Sequence, residues 1–170
     1  SYLVKKVVFP VDIIPMISIV ASSFVGLFLI VIATVLCMIY HYMPNVLLLV
    51  YVIFAAYCFI IAFTRFTSAV TTVVPDFANL LNIAMQLFFW FTPVIWNLSM
   101  LSEHQTILTF MKCMPFTYLV TAFREVFISD GIVFTNHGMF TIIFWVITFV
   151  MFVWGNSVFK RTKKDFADVL

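Results

Sequence analysis

The chain has 170 residues, 65% of them hydrophobic and only 9% charged, with a formal net charge of +2. That is too little polar surface to cover a water-soluble globule of this length, so the composition excludes a soluble domain and leaves an integral membrane protein. The small positive charge follows from membrane topology and needs no nucleic-acid partner.

The chain opens on Lys5-Lys6-Val-Val-Phe9-Pro10-Val-Asp12-Ile-Ile-Pro15. This segment is too short, too basic and too rich in proline to cross a bilayer, yet apolar enough to lie on a surface. It reads as a cytoplasmic docking element, residues 1–15, attached to a membrane domain. The first long apolar run extends from Met16 to Tyr40 and is long enough to span with tilt. A turn at His41-Tyr-Met-Pro44-Asn45 follows, with Asn45 placed to cap the next helix.

The second run starts at Val46 and is apolar to Phe63, after which Thr64-Arg65-Phe-Thr-Ser-Ala-Val-Thr-Thr leads to Pro75-Asp76. Two readings of Arg65 are open. If the span continues to about Val74, Arg65 lies ~13 Å inside the helix at 1.5 Å per residue, where a charge must face a cavity, find a partner or snorkel. If the span ends near Phe63, Arg65 is an ordinary cytoplasmic flank. Asp76 is expected to cap the third run, its carboxylate accepting free amides at the helix start. That run goes from Phe77 to Phe88-Phe-Trp-Phe91-Thr-Pro93-Val-Ile-Trp96.

Between Asn97 and His137 the charged residues Glu103, Lys112, Arg124, Glu125 and Asp130 alternate with apolar ones. The stretch is long for a simple connection. Tyr118, Leu119, Ala122, Phe123 and Val126 recur at helical spacing after Pro115. Two short helices are expected here, either dipping back from the outer face or lying flat on it. The last run, Gly138 to Phe159, ends in Lys160-Arg161-Thr-Lys163-Lys164-Asp165, leaving residues 160–170 as a tail.

Of the nine basic residues, Lys5, Lys6, Lys160, Arg161, Lys163 and Lys164 flank the outermost runs. The positive-inside rule therefore places both ends in the cytoplasm and residues 97–137 outside, which needs an even number of crossings. Four runs meet that requirement. The expected fold is an all-α membrane protein of four transmembrane helices, preceded by a cytoplasmic surface helix and interrupted by two short re-entrant or interfacial helices.

Four passages, in this order and spacing, resemble the permease subunits of type-2 ATP-binding-cassette polysaccharide exporters, the teichoic acid and O-antigen translocation family. They are Lys6-x-x-Phe9-Pro10-x-x-x-x-Pro15; Phe88 through Trp96; Pro115-x-x-Tyr118 through Phe123-Arg124; and Phe159-Lys160-x-x-Lys163-Lys164-Asp165-Phe166-Ala167-Asp168. The likeness covers the later two thirds of a family member, which implies that an amphipathic helix and two spans precede residue 1 in the native protein. It also implies that the opening segment is a coupling helix, with Lys5, Lys6, Val8, Phe9, Pro10 and Asp12 meeting a nucleotide-binding ATPase subunit. Where family members often carry a basic residue after the Phe-Pro pair this chain has Val11, and Pro75-Asp76 replaces the usual Arg-Asp.

By the same resemblance the permease is a homodimer in the bacterial inner membrane that moves a lipid-linked glycan. ATP and Mg would be bound by the partner ATPase and no cofactor by this chain, which has no phosphate-binding Gly-rich loop and is not expected to be an enzyme. Arg65 would meet the pyrophosphate of the lipid-linked polymer. Phe88, Phe91 and Trp96 would line the exit, where flat rings stack on sugars; a lipid-facing aromatic belt or helix packing is the other reading of them. Arg124 and Glu125 are read as structural. The three histidines and three cysteines have no ligand spacing, so no metal site is expected. A type-2 exporter of small molecules shares the architecture. A membrane enzyme acting on lipid-linked substrates would need paired carboxylates, whereas the acidic residues here are scattered; a purely structural membrane subunit is more remote.

Overall fold

A computed structural model describes residues 13–41, 43–74, 76–101, 103–128 and 138–167. The opening segment from Lys5 to Asp12, Pro75 and residues 129–137 lie outside the described residues, as do the side chains of Lys160, Arg161, Lys163 and Lys164. The described chain is all-helical: α1 (Ile13–Ile39), α2 (Val46–Val73), α3 (Phe77–Phe91), a 3-10 turn at Leu98–Leu101, α4 (Gln105–Cys113), α5 (Pro115–Ile128) and α6 (Gly138–Ala167). Among the described residues three helices are long and apolar enough to cross a membrane, Ile17–Ile39, Val46–Val73 and Gly138–Val158, and the bent pair Gln105–Cys113 with Pro115–Phe127 makes a fourth if it is one span.

The local signals explain most boundaries. Pro15 sits in the first turn of α1, where its missing amide breaks no helical bond. Asn45 caps α2 as expected, its Oδ1 accepting from the Leu48 amide at 3.2 Å. Asp76 does not behave as expected. It occupies the N-cap position of α3 in an αR conformation and its side chain makes no capping bond; instead its carbonyl accepts from the Asn79 and Leu80 amides. A helical backbone at the cap turns the carboxylate away from the amides it would have to reach.

The third run is also shorter as a helix than its apolar length suggests. α3 ends at Phe91, and Thr92 to Trp96 form turns. Its 15 residues cover roughly 22 Å at 1.5 Å per residue, against a hydrocarbon core of ~30 Å. α6, in contrast, continues past the apolar span to Ala167, so the basic tail begins as helix.

The core lies where α2, α5 and α6 meet, and α2 with α6 is the most extensive helix pair. α2 turns Val52, Ala55, Phe59, Ala62 and Ala69 inward, a stripe at three- and four-residue spacing. Small side chains on that stripe let α6 approach closely. At Gly155 the approach is backbone to backbone: a Cβ there would stand 2.7 Å from the Phe66 amide nitrogen and 2.9 Å from the Arg65 carbonyl carbon. Membrane helices pack this way because lipid is as apolar as Leu, and close contact rather than water exclusion holds them together.

α4 and α5 form a pair bent by 91° at Met114. α5 crosses α2 obliquely. Its first turn brings Phe116 against Phe59 and Phe63, at 5.2 Å and 5.7 Å between ring centroids. Further along, Ala122 and Val126 pack on Val52 with Leu48 and Leu49 nearby. α5 thus runs from the middle of α2 back towards its start.

Candidate functional site: the junction of α3 with the bent helical pair

The junction is built from the end of α3, the turn after it and one face of α5. Phe88, in the last turn of α3, stacks on Phe116 at 5.2 Å and an interplanar angle of 27°. This places the irregular segment 92–97 alongside α5. Thr92 and Pro93 are buried there. Buried irregular backbone in a membrane protein must have its carbonyls satisfied, because lipid offers no donors.

Arg124 supplies those donors. One terminal nitrogen of its guanidinium donates to the Pro93 carbonyl at 2.8 Å and to those of Val94 and Trp96 at 3.3 Å, and the other donates to Trp96 at 3.3 Å. The neighbouring bonds complete the segment. The Trp96 indole N–H donates to the Trp90 carbonyl at 3.2 Å, and the Thr92 and Asn97 carbonyls accept from the Val94 and Met100 amides. The planar guanidinium reaches the three carbonyls from two nitrogens held in a fixed fork, whereas the three N–H groups of an ammonium radiate from a single nitrogen.

A second polar cluster fastens α5 to the long helices. The Trp145 indole N–H donates to the Tyr51 hydroxyl at 2.9 Å. The Tyr118 hydroxyl lies 3.3 Å from that of Tyr51 and 3.1 Å from Thr141 Oγ1. The Tyr118 ring stacks on Phe144 at 4.6 Å. One tyrosine of α5 is therefore tied to both α2 and α6. One residue earlier, the buried Thr117 hydroxyl has no hydrogen-bond partner.

The residues expected from sequence to line a substrate path separate into two groups. Phe88, Phe91 and Trp96 cluster at the junction: Phe88 is half-buried against Phe116, Phe91 is 58% exposed, and Trp96 is half-buried. Arg65 is elsewhere, exposed on α2 beside Gly155 of α6. It lies inside the apolar span Val46–Val73 of α2, eight residues before its end and so roughly 12 Å along the axis, a depth from which a long cationic side chain can extend towards the interface by snorkelling.

The clamp by Arg124 was not legible in the sequence. Its signal was only that Phe88 to Trp96 and Pro115 to Arg124 occur in one chain; no spacing rule joins positions 28 to 31 residues apart.

The family model for the ABC-2 type transporter matches residues 1–128, a range that includes the junction and both of those passages. No curated protein matches the chain closely enough to narrow that assignment. The chain belongs to the ABC-2 type transporter family, as a multi-pass membrane component of a transporter whose ATPase is in general a separate partner.

Proposed function

We propose that this permease moves a lipid-linked polysaccharide or teichoic acid out across the bacterial inner membrane, with both of its ends in the cytoplasm. Two copies form the path at a two-fold interface. Nucleotide-binding subunits dock on the coupling segment through Lys5, Lys6, Val8, Phe9, Pro10 and Asp12, and ATP and Mg are held by those subunits. Pro10 and Pro15 limit backbone freedom around Asp12, so a push on the surface element passes into α1.

One observation carries the reading. Two of the four exporter-like passages, far apart in sequence, interlock through Phe88 on Phe116 and Arg124 on the carbonyls of Pro93, Val94 and Trp96. Their contact joins the two exporter-like passages into one module. Within it, Phe91 and Trp96 offer rings to passing sugars, while Phe88 shapes the exit from behind through its stack on Phe116. Arg65, in the second half of α2, meets the pyrophosphate of the carrier as it enters, through bidentate hydrogen bonds.

Depletion of the protein is expected to leave a lipid-linked glycan accumulated inside cells, and the full-length chain to copurify with an ATPase. Absence of any accumulated glycan, together with raised sensitivity to small toxic compounds, would instead establish a small-molecule exporter. Arg65→Gln is expected to abolish export with ATPase association intact; unchanged export removes Arg65 from the path.

A further inference from the structure

α3 packs on one side. Its partly buried positions include Phe77, Leu81, Ala84 and Phe88, at helical spacing, and Phe88 stacks on Phe116 of α5. Asn79, Asn82 and Gln86 are exposed. At 3.6 residues per turn these three fall within about 60° of one another, and their line lies about 160° from the packed one. Trp90, one turn beyond Gln86 and 69% exposed, continues that line. Three carboxamides and an indole therefore form one row, roughly 16 Å long, opposite the packed face. Among the described residues none of the three amide side chains makes a hydrogen bond. The flank beside the row, Leu80, Ile83 and Leu87, is exposed and apolar.

The chemistry of the row selects what lies against it. Asn and Gln carry donors and an acceptor on one group, and hydrocarbon offers neither, so amides turned to lipid would be desolvated without partners. None of the four side chains is charged, which disfavours an ion as the ligand. Amides that bond to hydroxyls, followed by a ring on which a flat apolar face can stack, match a neutral, hydroxyl-rich chain. The row also leads to the junction: the Trp90 carbonyl accepts from the Trp96 indole, so its outer end adjoins Trp96 and Phe91, the rings assigned to the exit. We infer that Asn79, Asn82, Gln86 and Trp90 line the translocation path and guide the neutral sugar units of the cargo towards that exit. Neutral hydrogen bonds exchanged with water each contribute little net energy, so a polymer passes from one amide to the next without a deep well. The role of the row in guiding sugars rests on the exporter reading, and extends it from the exit along the length of α3.

Leu87 provides the control, because it follows Gln86 at nearly the same depth, is 54% exposed and lies about 100° round the helix. In the full-length transporter with its ATPase, all native cysteines, Cys37, Cys58 and Cys113 among them, are replaced by Ala. Asn82→Cys, Gln86→Cys or Leu87→Cys is then introduced singly, and membrane vesicles are treated with a charged, water-borne methanethiosulfonate, which reacts with the thiolate form. Asn82→Cys and Gln86→Cys are expected to be labelled about tenfold faster than Leu87→Cys. Equal rates at the three positions, fast or slow, would overturn the inference. So would Asn82→Cys and Gln86→Cys that resist the reagent but form a disulfide between two copies of the chain, which would make the row a protein interface. Labelling is read without transport, so it is independent of the cargo. Gln86→Leu is further expected to reduce glycan export roughly fivefold with ATPase association intact, and unchanged export would overturn the contact with sugar. A parent transporter whose depletion accumulates no glycan would fail the exporter reading instead, with the labelling pattern still deciding whether the row lines an aqueous path.

Discussion

Gly155 and Gly26 are both glycines in long apolar helices, and their surroundings could hardly differ more. Gly155 lets the backbone of α6 rest on that of α2, where a Cβ would fall 2.7 Å from the Phe66 nitrogen; Gly26 opens onto empty space beside α2. The two helices are of similar length and α1 is the more apolar, yet α6 contributes Phe144 and Thr148 to the interior while no described residue of α1 is buried. Membrane insertion and helix packing are thus separate requirements. Apolar length satisfies the first, and matched small and aromatic surfaces satisfy the second.

The contrast is open to direct tests by mutation. Gly155→Val should have the largest effect, destabilising the folded protein by about 3 kcal/mol, because the added carbons overlap backbone that cannot rotate away; thermal unfolding in detergent measures it. A midpoint near that of the parent would mean that α2 and α6 do not meet there. Arg124→Gln should cost about 2 kcal/mol and increase proteolysis between Phe91 and Gln105, since it removes charged hydrogen bonds from buried carbonyls. Arg124→Lys should recover only part of this, and full recovery would show that charge rather than the fork matters. Tyr118→Phe should cost about 1 kcal/mol through loss of its link to Tyr51 and Thr141.

At the small end, Thr117→Val should be neutral or stabilising by up to about 1 kcal/mol, because the hydroxyl it removes is buried without a partner. A clear loss of stability would reveal a bond made by Thr117 in another state of the transporter. Gly26→Ala should change stability by no more than about 0.5 kcal/mol. A larger penalty at Gly26 would erase the distinction between the two glycines.

Several local features could be read without coordinates. The apolar runs located the three long helices, and Asn45 marked the start of α2 because a short side-chain acceptor before an apolar run is a local, one-residue signal. Asp76 carried the same signal and failed, since capping also requires an extended backbone at that residue. The end of α3 was hidden for a related reason: Thr92 to Trp96 are as apolar as a helix interior, and hydropathy does not distinguish helical from turned backbone when both are apolar.

Arg65 shows the limit on depth. Its distance from the helix end was countable, but only the fold showed that Gly155 of α6 lies against it. Composition by itself determined that this chain resides in a membrane as a set of apolar helices, because transfer of side chains from water depends on residue type and run length alone. Only the tertiary structure decided which helices pack and that Arg124 holds the carbonyls of the turn after α3. Those outcomes depend on contacts between residues distant in sequence, whose complementarity no single segment encodes.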